Sequence, residues 1–217
     1  MSAPKSAAES AAESASTPDA DPQTLAFYDG KAADYAPWSA ETAPRGWLMK
    51  FIATLPKGGR ALDLGCGAGW AAAQMAESGL SVDALDASPE LAAQARARYG
   101  LKVRVAPFEA LDEDALYDGV WASFSLLHAP RAAFPGHLAR IFRALRPDGA
   151  FYLGLKGGSG EHRDDLGRFY AYYGLEELRA LLSAAGFERI DAREYAAEPG
   201  YDGAATPMLH CIARKPA

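Results

Sequence analysis

The chain has 217 residues, 49% of them hydrophobic, with a formal net charge of −6 and two cysteines. That is apolar material for one domain with an adequate core, and a second domain is not expected. The acidic balance supplies no positive field for nucleic acid or an anionic membrane, so the expected partner is a small molecule. Cys66 and Cys211 cannot make up a metal set and suit a reducing compartment. No apolar run approaches a membrane span and no signal-peptide-like segment opens the chain, so a cytoplasmic monomer or homodimer is expected.

Residues 1–21 are nearly all Ala, Ser, Glu, Pro and Asp, too little apolar surface to offset the entropy of ordering, and are expected to be a disordered tail. The folded domain is expected over residues 22–217. It opens with two helices within residues 22–57, the first carrying Leu25, Phe27, Tyr28, Tyr35 and Trp38, the second Trp47, Leu48, Phe51, Ile52 and Leu55. Tyr28 and Tyr35 stand two helical turns apart and share a face, for which core packing is the plainer explanation at Tyr28.

The chain then tightens into Ala61-Leu62-Asp63-Leu64-Gly65-Cys66-Gly67-Ala68-Gly69-Trp70. This is the pattern of a buried strand, a tight turn and an alanine-rich helix over residues 70–78. The helix start offers N–H groups and a partial positive charge beside glycines that let a ligand approach the backbone. A second strand over residues 80–86 ends in Asp86, 21 residues after Gly65, where a carboxylate meets ribose hydroxyls in nucleotide-binding folds. Glycine turn and acid together point to a nucleotide-like cofactor; the plainer alternative is a shaped turn with Asp86 capping the helix that starts at Pro89. The third glycine stands one residue too early for the dinucleotide fingerprint, which disfavours a nicotinamide oxidoreductase.

Beyond Asp86 the alternation continues: a helix over residues 89–99 closed by Gly100, a strand over 101–106, a strand over 118–123, a helix over 135–145 and a strand over 150–155. Arg96, Arg98, Lys102 and Arg104 gather without interleaved aromatics and are expected on a solvated face. A polar segment over residues 156–165 is expected to be mobile, followed by a helix over 175–185 and strands over 187–195 and 208–214. The implied fold is α/β, a doubly wound, Rossmann-like, mostly parallel seven-stranded sheet with helices on both faces.

Leu62-Asp63-Leu64-Gly65-Cys66-Gly67-Ala68-Gly69 resembles the first motif of class I S-adenosylmethionine-dependent methyltransferases, and Leu85-Asp86-Ala87-Ser88-Pro89-Glu90-Leu91 their second. Tyr117 to His128 and Leu145 to Ala150 extend the resemblance in family order. It implies S-adenosyl-L-methionine as cofactor, a C-terminal antiparallel hairpin and an N-terminal helix pair lying over the site. It also implies cofactor contacts at Asp63, Gly65, Cys66, Gly67, Asp86, Ala87, Phe108, Glu109 and Ser123. Where the family usually places an acid for the adenine amino group this chain has Pro107, leaving Phe108 to supply an N–H and an apolar wall. Glu109 either takes over the acid's role or complements a helix dipole.

Ligands of doubly wound sheets sit beyond the carboxyl ends of the strands, so residues 123–128 face the reacting methyl. His128 is either a general base or a histidine bound to backbone ahead of Pro130. The absence of an Asn/Asp-Pro-Pro-aromatic run argues mildly against exocyclic amines as targets. Tyr35 and Arg45 are candidates for the acceptor or the cofactor carboxylate, although a solvated Arg45 is the commoner case. Arg163, Arg168 and Tyr172 are candidates for an anionic acceptor with an apolar body, against a flexible connection and core aromatics. The implied reaction is in-line displacement of the sulfonium methyl by a small-molecule acceptor; RNA modification and a non-catalytic cofactor-binding module are the alternatives.

Overall fold

The computed structural model describes residues 20–217. The expected tail therefore lies outside the described residues except at its end, where Asp21 is already part of the fold: its Oδ2 accepts the Thr24 N–H at 2.8 Å and caps the first helix. That helix, α1 (Pro22–Glu41), and α2 (Arg45–Ile52) precede the sheet. The sheet is built from β1 (Arg60–Leu64), β2 (Ser81–Asp86), β3 (Val103–Val105), β4 (Tyr117–Ser123), β5 (Leu145–Lys156), β8 (Glu188–Pro199) and β9 (Ala205–Arg214). Between them lie α3 (Trp70–Glu77), α4 (Pro89–Tyr99), α5 (Phe134–Ala144) and α6 (Leu175–Ala184), with a separate hairpin of β6 (Glu161–Arg163) and β7 (Phe169–Ala171).

The strand order is β3-β2-β1-β4-β5-β9-β8; β3 to β5 run parallel, and β9 pairs antiparallel with both β5 and β8. The expected seven-stranded, mostly parallel sheet with its antiparallel C-terminal hairpin is the sheet observed. Alternation along the central strands sorts two cores. Val120 and Ala122 of β4, with Phe151, Leu153 and Leu155 of β5, pack with Phe134, Leu138 and Ile141 of α5 and Leu178 and Leu182 of α6. Trp121 and Tyr152 point the other way, stacked at 3.5 Å between ring centroids, against Leu48 and Phe51 of α2 and Met75 of α3.

Helix α4 begins where Ser88 Oγ accepts the Leu91 N–H at 3.0 Å, and it ends at Gly100 with φ +69°. Helix α1 lies across α4, burying Ala32 and Ala36 against Ala68 and Leu91. Among the polar contacts that hold α1 in place, Ser88 Oγ donates to Asp29 Oδ1 at 2.6 Å, the Phe169 N–H to Thr24 Oγ1 at 2.8 Å, and Arg163 Nη2 to Asp21 Oδ1 at 2.7 Å. The last two reach the β6–β7 hairpin, which replaces most of the mobile connection expected over residues 156–165: backbone pairing of Glu161 with Ala171 and Arg163 with Phe169 orders it. Among the described residues no helix is long and apolar enough to cross a membrane.

Candidate functional site

The end of β1 turns through three left-handed glycines, each for a different reason. At Gly65 (φ +73°) an added Cβ would lie 2.2 Å from Cβ of Ser125, two residues past the end of β4. At Gly69 (φ +82°) it would meet Leu101 Cδ1 at 2.7 Å and Ala95 Cβ at 2.8 Å, so this glycine lets α4 close against the start of α3. At Gly67 (φ +53°) nothing lies within 4 Å, and the backbone there is open to a ligand. The turn is strapped to β2 by the Gly65 and Cys66 N–H groups, both donating to the Leu85 carbonyl, at 2.7 and 3.0 Å.

Two buried carboxylates flank the turn. Asp86 accepts the Gly67 N–H on Oδ2 at 2.7 Å and the Ser88 N–H on Oδ1 at 2.8 Å; each oxygen keeps a lone pair for a ribose hydroxyl. Burial pushes its pKa up. Asp63 Oδ2 accepts the Ala72 N–H at 3.0 Å and so caps α3. Burial raises its pKa to about 7, with the neighbouring Asp86 charge adding to the effect.

A cavity of about 580 Å³ opens above these groups, in the range of cofactor and ligand pockets. Asp63, Gly65, Cys66, Gly67, Asp86 and Ala87 line one end of it, with Phe108 and Ser123 beside them. Tyr28, Tyr35 and Trp38 of α1, Tyr170 of β7 and Tyr201 of the β8–β9 turn wall the other. The rings pack edge to face, Tyr28 to Tyr35 at 5.0 Å and Tyr201 to Tyr35 and Trp38 at 5.3 Å each. Phe124, directly after β4, also lines it, in a left-handed conformation at φ +53°.

His128 lines the cavity with both ring nitrogens engaged. Nδ1 lies 2.6 Å from the Phe169 carbonyl, an acceptor, so Nδ1 carries the proton; Nε2 then accepts from the Tyr28 hydroxyl at 2.8 Å. Burial lowers the His128 pKa to about 4, so the ring is neutral near pH 7. The same burial holds the Tyr28 phenol far above its ordinary value, as a donor. His128 thus binds backbone, as one of its two readings expected, and it also faces the cavity. Tyr28, for which core packing was the plainer expectation, does pack against the core between α1 and α4, and it is a cavity wall as well.

Other expected site residues are elsewhere. Glu109, in a short 3-10 turn, faces α5, its Oε1 3.4 Å from Nε2 of the buried His137, because the turn after β3 directs it away from the cavity. Arg45 is exposed; it donates to the Ala40 carbonyl at 2.8 Å and lies 4.8 Å over the Trp70 ring. Arg163 is taken up by Asp21 on the outside of the hairpin, and Tyr172 stacks on His162 at 4.3 Å instead of entering the cavity.

Arg168 does line the cavity, though it is 1% exposed and held by Asp164 at 2.6 Å, with the rings of Phe27 and Tyr170 at 4.8 and 5.3 Å. Lys156, at the end of β5, and Tyr201 were not singled out as ligand contacts. A lysine closing a strand carries no motif, and Tyr201 reaches the site only because the β8–β9 turn folds over α1.

Strand, glycine turn, helix and second-strand acid define a nucleotide-cofactor-binding α/β domain whose cavity extends past the cofactor end to an aromatic wall. Residues 61–149 match the methyltransferase domain family. A solved structure of the Burkholderia thailandensis 1,6-didemethyltoxoflavin-N1-methyltransferase, with 1,6-didemethyltoxoflavin and S-adenosylhomocysteine bound, superposes with a TM-score of 0.74 at 28% identity, over 90% of this chain and 88% of that one. Phosphoethanolamine N-methyltransferase 2 of Haemonchus contortus shares the fold at 18% identity and a TM-score of 0.70, over 88% of this chain and 59% of that one. The S-adenosyl-L-methionine-dependent Diels-Alderase iccD of Talaromyces variabilis is 34% identical over 118 residues, half of this chain; the chain spans 38% of that relative's length. In fold and in the motifs of its glycine turn the chain is similar to the class I S-adenosylmethionine-dependent methyltransferases.

Proposed function

We propose that this chain moves the sulfonium methyl group of S-adenosylmethionine onto a ring nitrogen or oxygen of a small planar aromatic acceptor, working in the cytoplasm as a monomer or homodimer. One observation carries the reading: a single cavity runs from Gly65, Gly67 and Asp86 to Tyr28, Tyr35 and Trp38, so cofactor and acceptor can meet within it. The similar Burkholderia thailandensis N1-methyltransferase, crystallised with 1,6-didemethyltoxoflavin, supports the acceptor class. The net charge of −6 supports a small molecule over nucleic acid.

The residues at the glycine end fit the cofactor. Gly67 leaves the space a Cβ would fill, Asp86 has lone pairs for a ribose diol, and Phe108 offers an apolar wall for a base. Asp63, partly protonated near neutrality when the site is empty, gains full charge when an ammonium group comes close. S-adenosylmethionine, when bound, would supply an activated methyl group that an acceptor lone pair can take, with the C–S bond breaking and S-adenosylhomocysteine leaving, without acid or metal. The chain's own contribution is then to hold the acceptor in line and keep water out, and the rings of α1 and Tyr201 do both. As an acceptor nitrogen or oxygen gives its lone pair to the methyl carbon, its proton passes to the Tyr28 hydroxyl while Tyr28 hands its own to His128 Nε2. A histidine with a pKa of about 4 suits only an acceptor whose proton becomes strongly acidic on methylation.

The test is calorimetric titration of wild type and Asp86→Ala with S-adenosylmethionine, S-adenosylhomocysteine and NADH, followed by methyl-labelled transfer to a panel of planar nitrogen heterocycles. Binding of the two sulfur compounds alone, weakened by the substitution, with label passing to at least one heterocycle, is the expected result. NADH binding alone overturns the cofactor assignment. Tight S-adenosylmethionine binding without label transfer to any acceptor overturns the transfer step and leaves a cofactor-dependent role of another kind.

A further inference from the structure

The arginines that the sequence offers to an anionic acceptor already face carboxylates, Arg163 with Asp21 and Arg168 with Asp164, although Arg168 Nη2 makes no hydrogen bond. Lys156 is different. It ends β5, is 6% exposed and lines the cavity. Among the described residues no hydrogen-bond acceptor reaches its Nζ and no carboxylate lies within the 4.0 Å of an ion pair. Its nearest electron-rich neighbour is the face of Tyr170, 4.4 Å from Nζ to the ring centroid. A ring face shares the charge but does not satisfy three N–H donors.

The acids in the neighbourhood do not make up the deficit. Asp164 is bound to Arg168, and Asp202 accepts the Ala204 N–H at 3.1 Å and sits 3.9 Å from Arg168 Nη2. An ammonium with no hydrogen-bonded partner from the chain is unfavourable once water is excluded, and this one faces the cavity of about 580 Å³, so an anionic group bound there is placed to supply the partner. Charge is also segregated along the sheet. Asp86 and Asp63 stand at the ends of β2 and β1, suited to a cationic cofactor, while Lys156 stands at the end of β5 with β4 between.

We propose that Lys156 docks an anionic oxygen of the acceptor, either a carboxylate or the ring oxygen of an acidic heterocycle, and thereby orients a planar body against Tyr170 and Tyr28. The proposal rests on the reading of this cavity as the acceptor site and narrows the acceptor to an anion. Lys156 is in these terms a specificity-determining residue for binding.

The test uses S-adenosylhomocysteine-saturated protein, and the same protein without it, titrated calorimetrically at neutral pH with two matched pairs: 2-naphthoate against 2-naphthamide, and urate against hypoxanthine. Wild type, Lys156→Met and Lys156→Arg are compared. The expected result is that one anion binds wild type about tenfold or more tightly than its neutral partner, that Lys156→Met abolishes the preference, and that Lys156→Arg keeps part of it. The pair showing the preference separates a carboxylate from a ring oxygen. S-adenosylhomocysteine affinity, equal in all three proteins, shows that the site is intact. An anion preference absent from wild type, or retained in Lys156→Met, overturns the proposal; so does a tenfold loss of S-adenosylhomocysteine affinity in Lys156→Met, which would give the lysine to the cofactor. Failure of wild type to bind S-adenosylhomocysteine counts against the cofactor reading instead, and the titrations without it then report on Lys156 alone.

Discussion

Replacing Gly65 and Gly67 by alanine, one at a time, separates what the turn does for the fold from what it does for the ligand. Both have positive φ, +73° and +53°, so each alanine carries a left-handed penalty of about 1–2 kcal/mol. Only Gly65 adds a collision, since its Cβ would sit 2.2 Å from Ser125 Cβ, and forcing the two apart costs roughly a further 1–3 kcal/mol. Gly65→Ala is therefore expected to lose about 2–5 kcal/mol, a large part of the ~5–15 kcal/mol that keeps a domain folded. Gly67→Ala is expected to lose only about 1–2 kcal/mol. Its Cβ enters the space left for the ligand, so its S-adenosylhomocysteine affinity should fall about tenfold or more. Urea denaturation gives the first quantity and calorimetric titration the second. Ser125→Gly in the Gly65→Ala background removes the colliding atom and should recover the steric part, though it also removes the 2.7 Å hydrogen bond from Ser125 Oγ to the Leu64 carbonyl. Equal destabilisation by the two alanines, or a Gly67→Ala protein with unchanged affinity, would refute the reasoning.

The other expectations concern α1, the buried ion pair and pH. Asp29→Ala removes the acceptor of the Ser88 hydroxyl and should cost about 0.5–1.5 kcal/mol while speeding amide exchange in α1, read by hydrogen exchange. Arg168→Met leaves Asp164 buried and unpaired and is expected to cost about 3–5 kcal/mol; adding Asp164→Asn should recover part of it, seen in the urea midpoint. His128 and His210 both have folded pKa values of about 4 against an ordinary 6.5, so the unfolded chain takes up protons first as the pH falls. Their contribution is complete above pH 6.5 and is lost as the pH drops towards 4, up to roughly 3 kcal/mol each and less for the half-buried His128. His210→Gln should flatten that part of the stability profile. Asp63 has the opposite sign: its pKa is raised from 3.8 to about 7, so its charge costs stability as the pH rises through that range. Asp63→Asn, whose side-chain oxygen can still accept from Ala72, should be more stable than wild type at pH 8, with the gain shrinking as the pH falls towards 3.8.

Much of the cofactor end was legible in the chain because local steric demands write themselves into local residues. A strand that turns sharply into a helix needs glycines at Gly65, Gly67 and Gly69, and the paired acid comes at the end of the next strand, so spacing alone connects the two. Helix α4 was bounded at both ends, by Pro89 at its start and Gly100 at its end, since those residues act within a turn of themselves. The hairpin of β6 and β7 was not legible: its strands are three residues each, too short for alternation to show, and an apparent polar loop is ordered by pairing across seven residues.

The acceptor end was harder to read because it is assembled from segments far apart in the chain. A side chain's type does not say whether its charge is already spent. Arg163, Arg168 and Lys156 look alike as cations in sequence, and only the positions of Asp21 and Asp164 show that both arginines are paired while the lysine is left facing the cavity. Tyr28 meets His128 across 100 residues, and Tyr201 closes on Tyr35 and Trp38 from the far edge of the sheet. By itself the sequence determined the α/β sheet, the glycine turn and the acid beside it, because these follow from backbone geometry over short spans. The tertiary structure decided which rings wall the far end of the cavity and which cations face carboxylates, because both depend on where distant segments place their partners.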